Sequence, residues 1–296
     1  MSTAKGEHSC LLSFRFHLIQ HDKDLPSELL DLIILHVLTL EDGYSREAIR
    51  ALSLVSKSWR AVCLRHLFTN ASFRDDDDFT RWHEILIALP QVANYVRSAV
   101  YFPIPPTPPG DLAYGTFYDI PTMPAVDKLT WFMPNLDRSP GSGADRFLCS
   151  FPGVTQLRIM NVEDVNDSRW VLSHFPNLQS LQWENCSFPF AESNSTHAEF
   201  PSPYRLDLSH LKVLEATESE GGWLDWLVDD IFAASPSGSL LRLRKIEIDS
   251  HLRKGCALST GSLTRLLVGV AGTLEEMSFS VTNLKGNSPF HSRCEN

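Results

Sequence analysis

The sequence has no Cys-x-x-Cys pair, and its six cysteines, Cys10, Cys63, Cys149, Cys186, Cys256 and Cys294, stand far apart. That spacing indicates neither a disulfide framework nor a zinc ribbon, and a reducing compartment, cytoplasmic and/or nuclear, is the simplest reading. No stretch approaches the roughly 18 apolar residues of a membrane span. Residues 11–19 are apolar but interrupted by Arg15 and His17 after Glu7, which makes a poor signal peptide. Without one, the Asn-x-Ser/Thr sites at Asn70, Asn166, Asn185 and Asn194 are not read as glycosylated.

Positive charge is scarce as well. Lys plus Arg number 26 against 36 Asp plus Glu, a formal net charge of −10. A phosphate-tracking protein needs a basic surface to displace counterions, so neither nucleic acid nor a membrane is an expected partner.

Catalytic signatures are missing too. Eleven histidines are scattered with no His-Glu-x-x-His pair, no His/Cys ligand spacing and no Gly-x-Ser-x-Gly elbow. Gly141-Ser142-Gly143 reads as a loop rather than a phosphate cradle. The pairs Asp229-Asp230 and Glu275-Glu276 diverge on either a helix or a strand, so they make no acid/base pair. The expectation is a chain that is not an enzyme and that has no cofactor and no metal.

What is present is an ordinary globular composition, 43 % hydrophobic over 296 residues, long enough for two domains. Residues 1–21 show no sustained period and read as a flexible leader. Leu25-Pro26-Ser27-Glu28 then opens a helix ending near Leu38, with Pro26 at the first helical position and Glu28 near the positive end of the dipole. Leu29, Leu30, Leu32, Ile33, Ile34, Leu35, Val37 and Leu38 spread apolar surface nearly all the way round it, so it has to be covered on every side.

Two more helices follow, over 46–55 with Ser45 as N-cap and over 57–68 with Ser56 as N-cap. Three short helices do not bury all of the first one, and the surplus implies either a constant protein partner or cover from the following domain.

Asp78 is read as the N-cap of a helix over 79–89 that turns Trp82, Ile85, Leu86 and Leu89 inward and stops at Pro90. Residues 71–125 read as a connection made of this helix and a Pro-rich segment that includes Pro103, Pro105, Pro106, Pro108 and Pro109. Pro103-x-x-Pro106 lacks the flanking cation that would orient it in an aromatic groove, so it reads as a plain loop.

From Val126 one triplet of apolar positions returns: Val126/Leu129/Trp131, Val154/Leu157/Ile159, Leu178/Leu181/Trp183, Leu211/Leu214/Ala216, Leu243/Ile246/Ile248 and Leu274/Met277/Phe279, with a weak earlier copy at Val96/Ala99/Tyr101. The steps are 28, 24, 33, 32 and 31 residues, about the length of a strand plus a return helix. Return helices are predicted over 167–175, 222–234 and 262–270.

The stretch Leu178-Gln-Ser-Leu181-Gln-Trp183-Glu-Asn-Cys186 resembles a leucine-rich repeat; the other copies keep only the triplet. The expected fold class is α+β, an N-terminal three-helix module over 22–70 followed by a leucine-rich-repeat-like solenoid over 126–296. An ordinary α/β domain is the alternative for the second part. No capping helix is evident after Phe279, so the array reads as truncated or ending unprotected.

Leu25-Pro26-Ser27-Glu28 at one end, and Leu52-Ser53-Leu54-Val55-Ser56-Lys57-Ser58-Trp59-Arg60 at the other, make residues 22–70 resemble an F-box, in a layout similar to fungal F-box-like proteins. The loop 39–44 is longer than the compact family form, and Ser56 stands where Cys is frequent.

The resemblance implies a non-catalytic subunit of an SCF-type E3 ubiquitin ligase, its helices on the Skp-type adaptor of a cullin-RING ligase and its repeats on a substrate protein. Leu25 and Pro26 would start the adaptor contact, Leu29, Leu30, Ile33 and Ile34 would supply the apolar surface, and Trp59 would either anchor the third helix at the seam or serve packing alone. The other reading is a repeat-based scaffold or binding protein with no ligase association.

In such a coil the variable strand positions form the substrate-facing concave surface: Arg158, Met160, Gln182, Glu184, Glu215, Thr217, Glu247, Asp249, Ser278 and Ser280. Glu184, Glu215, Glu247 and Asp249 make the row mainly acidic, with Lys245 the nearest opposing charge. It is read either as steering a partner with a basic segment or as a solvated face that serves solubility.

Overall fold

A computed structural model describes residues 25–39, 45–102, 119–132, 139–162, 165–186, 206–217, 224, 226–229, 242–252, 260–283 and 290–295. The chain is α+β and forms two compact units, Met1–Phe68 and Thr69–Asn296. The leader, the 40–44 loop, the Pro-rich 103–118 stretch, Asn194 and most of the helix predicted over 222–234 lie outside the described residues. Among the described residues no helix is long and apolar enough to cross a membrane.

The first unit holds α1 (Ser27–Thr39), α2 (Ser45–Leu52) and α3 (Lys57–Leu67). The Pro26 carbonyl accepts the Leu29 and Leu30 N–H groups at 3.0 and 3.3 Å and so opens α1. Ser56 caps α3 as predicted, its side chain accepting the Trp59 N–H at 3.3 Å. Leu30, Ile34, Ile49, Val62 and Cys63 form the core, with Val37, Leu52, Trp59 and Leu67 packed against it. Burial pushes the Cys63 thiol up to about 11, which makes it an inert packing group. At the rim Asp31 of α1 accepts from Arg65 and pairs with His66 of α3, at 3.1 and 2.9 Å.

The second unit is one nine-stranded sheet whose strands lie in chain order. They are β1 (Asn70–Phe73), β2 (Ser98–Tyr101), β3 (Lys128–Phe132), β4 (Gln156–Met160), β5 (Ser180–Glu184), β6 (Val213–Thr217), β7 (Lys245–Leu252), β8 (Glu276–Asn283) and β9 (Phe290–Glu295). The first eight pair in parallel, and β9 turns back antiparallel on β8.

This open sheet replaces the solenoid expected over 126–296. Parallel pairing begins at Asn70, the last residue of the expected three-helix module, and runs into what the sequence presented as a connection, because Ala71 and Phe73 fall in register with Ala99 and Tyr101. At the other end β8 pairs with β7 on one side and with β9 on the other.

Every strand start repeats one hydrogen-bond pattern. The carbonyl of Thr69 accepts from both Arg97 and Ser98, at 2.8 and 3.1 Å. Arg97, Asp127, Thr155, Gln179, Lys212 and Arg244 each do the same for the two residues that begin the next strand. The first apolar residue of the triplet, at Val96, Val126, Val154, Leu178, Leu211 and Leu243, is buried just before the starts of β2 to β7.

Helices α4 (Asp76–Ala88), α5 (Gly143–Cys149), α6 (Val165–Ser173) and α7 (Thr260–Val270) lie between strands. The N-cap of α4 is Asp75, not Asp78. Its carboxylate accepts the Asp78 N–H at 2.9 Å, while Asp78 is taken up by the Arg74 guanidinium at 2.9 Å. Inward residues of α4 and α5 build an aromatic core on the buried strand row. Phe73 lies 5.0 Å from both Phe79 and Phe147, and Tyr101 stacks on Trp131 at 4.6 Å.

A Cβ on Gly153 would collide with the Pro124 carbonyl, whereas one on Gly272 would meet nothing within 4 Å. Gly153→Ala should therefore destabilise the fold by about 1–3 kcal/mol and lower the thermal midpoint measured by calorimetry, while Gly272→Ala should leave it unchanged.

Candidate functional site

Two surfaces, one on each unit, expose what the expected contacts require. On α1 the apolar residues divide sharply. Leu30 and Ile34, at 1 % and 0 % exposure, face α2 and α3 as core and are not contact residues, which corrects their assignment to the adaptor surface. Their i, i+4 spacing puts both on the side the other two helices cover.

Leu25, Pro26, Leu29 and Ile33 are exposed as that assignment requires. Leu32 at 60 %, with Leu35 and Leu38, continues the exposed surface. Leu54 at 85 % and Val55, in the turn before Ser56, add to the unit's exposed apolar residues, and sequence reasoning missed them. Trp59 is half-buried and packs on the three-helix core, so its packing role is visible in the structure.

The second surface is the face of the sheet opposite the buried rows. Register aligns Thr130, Arg158, Gln182, Glu215, Glu247 and Ser278 in one row and Phe132, Met160, Glu184, Thr217, Asp249 and Ser280 in the next. All the strand residues singled out from the sequence thus come together on one face, with alternate neighbours buried.

The acidic row is largely matched by cations. Arg158 donates from Nε and Nη2 to Glu184 Oε2, the former at 2.8 Å. Lys245 sits 2.8 Å from both Glu215 and Glu247. The hydrogen bonds it donates to these two glutamates hold the Lys245 ammonium well above its ordinary range. Asp249 differs: its buried Oδ1 has no hydrogen-bond partner among the described residues. Toward β2 the same face turns apolar, with the exposed Phe102 ring 4.5 Å from Phe132 and Met160 beside it in register.

A third cluster was not anticipated. Among the described residues, Asp145, Cys149 and His174 bring potential metal-ligand atoms within 4.8 Å of one another. They lie on α5 and just after α6, on the helix-bearing side of the sheet, away from the polar rows.

Lys245→Met should cost on the order of 1 kcal/mol, since the partly exposed ammonium bridges two partly exposed carboxylates. The lysine's raised value means this contribution is complete below the ordinary lysine range and is lost only as pH rises through the raised one. Urea unfolding near pH 7 and near pH 9 should show the same deficit, about 1 kcal/mol, for the variant.

Compared with known proteins, the chain matches no family model, no curated protein and no solved structure.

Proposed function

We propose that the chain is a substrate-recognition subunit of an SCF-type E3 ubiquitin ligase. In this reading the three-helix unit binds the Skp-type adaptor and the polar face of the sheet receives the substrate protein. The chain does no chemistry itself; it raises the effective concentration of the substrate beside the ubiquitin-loaded enzyme.

The observation that supports the reading is the outer side of α1. Leu29, Leu32, Ile33, Leu35 and Leu38 are exposed on a helix whose inner side, at Leu30 and Ile34, packs into the core of its unit. Soluble surfaces rarely leave so much apolar area together unless a partner covers it. The Leu-Pro-x-Glu opening at Leu25 and the Lys-x-Trp-Arg close at Lys57 give that partner its suggested identity.

On the sheet, the strand ends beside the polar face share one turn conformation. Asn161 and Asn185 take positive φ values of 55° and 51° at the ends of β4 and β5, and the Asn185 amide donates to Asn161 Oδ1. Asn tolerates this left-handed conformation better than most residues. The substrate suited to the face carries a basic residue for Asp249 and, three or more strands away toward β2, apolar residues for Phe102, Phe132 and Met160.

Titration calorimetry of the full chain with purified Skp-type adaptor tests the ligase assignment. Wild type should bind. The combined Leu29→Asp and Ile33→Asp variant should keep its circular dichroism and lose affinity by about a hundredfold or more, since two buried apolar contacts of ~1.5 kcal/mol each are replaced by charges. No binding by folded wild-type chain would favour the scaffold reading.

A further inference from the structure

The chain between β3 and β4 and the chain between β4 and β5 meet at Asp145, Cys149 and His174. Ser142 caps α5 by accepting the Asp145 N–H at 3.2 Å. Ala144, Phe147 and Leu148 are buried on the inner side of that helix. The i, i+4 pair Asp145 and Cys149 is thereby left together on the outer side. His174 follows the last residue of α6 and is largely covered, with 10 % of its side chain exposed.

The hydrogen bonds around the three residues orient them as ligands. His174 Nδ1 lies 2.8 Å from the Trp170 carbonyl, an acceptor, so that nitrogen carries the proton and Nε2 is aimed at Asp145. Asp145 Oδ2 accepts the Gly141 N–H at 2.9 Å, and Oδ1 faces His174 at 2.9 Å. One ring nitrogen of His174, one carboxylate oxygen of Asp145 and the Cys149 Sγ lie within 4.8 Å of one another. A backbone carbonyl on the far ring nitrogen and a backbone N–H on the far carboxylate oxygen are the outer supports that metal-ligating His and Asp residues use.

We propose that Asp145, Cys149 and His174 form a three-ligand site for a zinc-class divalent cation, with a fourth position open toward solvent beside the exposed Cys149. One sulfur, one imidazole nitrogen and one carboxylate oxygen suit a borderline-soft ion rather than magnesium or calcium. Tetrahedral bonds of about 2.0–2.3 Å place ligand atoms roughly 3.3–3.8 Å apart, so His174 and Asp145 would separate slightly and Cys149 would close in.

The cation would replace the direct His174–Asp145 contact and cross-link two successive strand connections. Burial and the Asp145 carboxylate raise the Cys149 thiol. A Cys-His-Asp nucleophilic relay does not fit. Asp145 sits on Nε2 and the Trp170 carbonyl on Nδ1, so the carboxylate does not orient the ring from the nitrogen opposite one that faces the thiol.

Cobalt(II) titration of the reduced, chelator-treated full chain tests this, because a thiolate ligand gives a near-ultraviolet charge-transfer band and a four-coordinate site gives visible absorption. The expected result is one Co2+ per chain, displaced by Zn2+, with both bands present. Cys149→Ala should abolish the near-ultraviolet band and weaken Co2+ binding by at least about tenfold, with an unchanged metal-free thermal midpoint because the residue is exposed. His174→Gln should weaken binding comparably. An unaltered band in Cys149→Ala would place the metal on another thiol and overturn the proposal. So would failure of the folded wild-type chain to bind Co2+ in large excess.

Discussion

One backbone carbonyl receiving two consecutive N–H groups from the next strand, repeated from Thr69 to Arg244, is the constraint on which the sheet depends. It fixes where every parallel strand begins relative to its neighbour. A slip of one residue would exchange the faces of a whole strand, so this contact decides which side chains are buried and which are offered to solvent. The apolar triplets then stack as continuous rows, Leu129 on Leu157 on Leu181 on Leu214, and the residues between them form the polar face.

Much of this was legible because a strand's period of two is written directly in the triplets. All six triplets after Val126, and the weak copy at Val96, mark strands. The strand at Asn70 was missed because it offers only Ala71 and Phe73 and no preceding turn signal of the later kind. The cap of α4 was displaced by three residues for a different reason. Four consecutive aspartates give propensity no means of choosing, and Arg74 settles it by claiming Asp78.

The two candidate surfaces were legible to different degrees. On the sheet, alternation alone places Arg158, Gln182, Glu184, Glu215, Glu247 and Asp249 together, but the cross-strand pairing that quiets most of those charges appears only once Lys245 and Arg158 are in register. On α1 a helix apolar all round carries no information about which side faces inward. Ile49, Val62 and Cys63 select Leu30 and Ile34 for the core and so leave Leu29, Leu32 and Ile33 outside. The Asp145, Cys149 and His174 cluster was hidden because Gly141-Ser142-Gly143 reads as a loop, while in the structure Ser142 starts a helix that brings Asp145 and Cys149 onto one side.

On the proposed function, the N-terminal unit, with a covered core and an uncovered apolar side, takes the adaptor, and the sheet, with one packed and one polar face, does not. Hydrogen–deuterium exchange of the full chain, with and without a purified Skp-type adaptor, addresses that division most directly. The account expects adaptor-dependent protection confined to peptides covering α1 and residues 53–56, with strand peptides from β1 to β7 unchanged. Protection that appeared in the strands instead, or none in α1 under saturating adaptor, would contradict it.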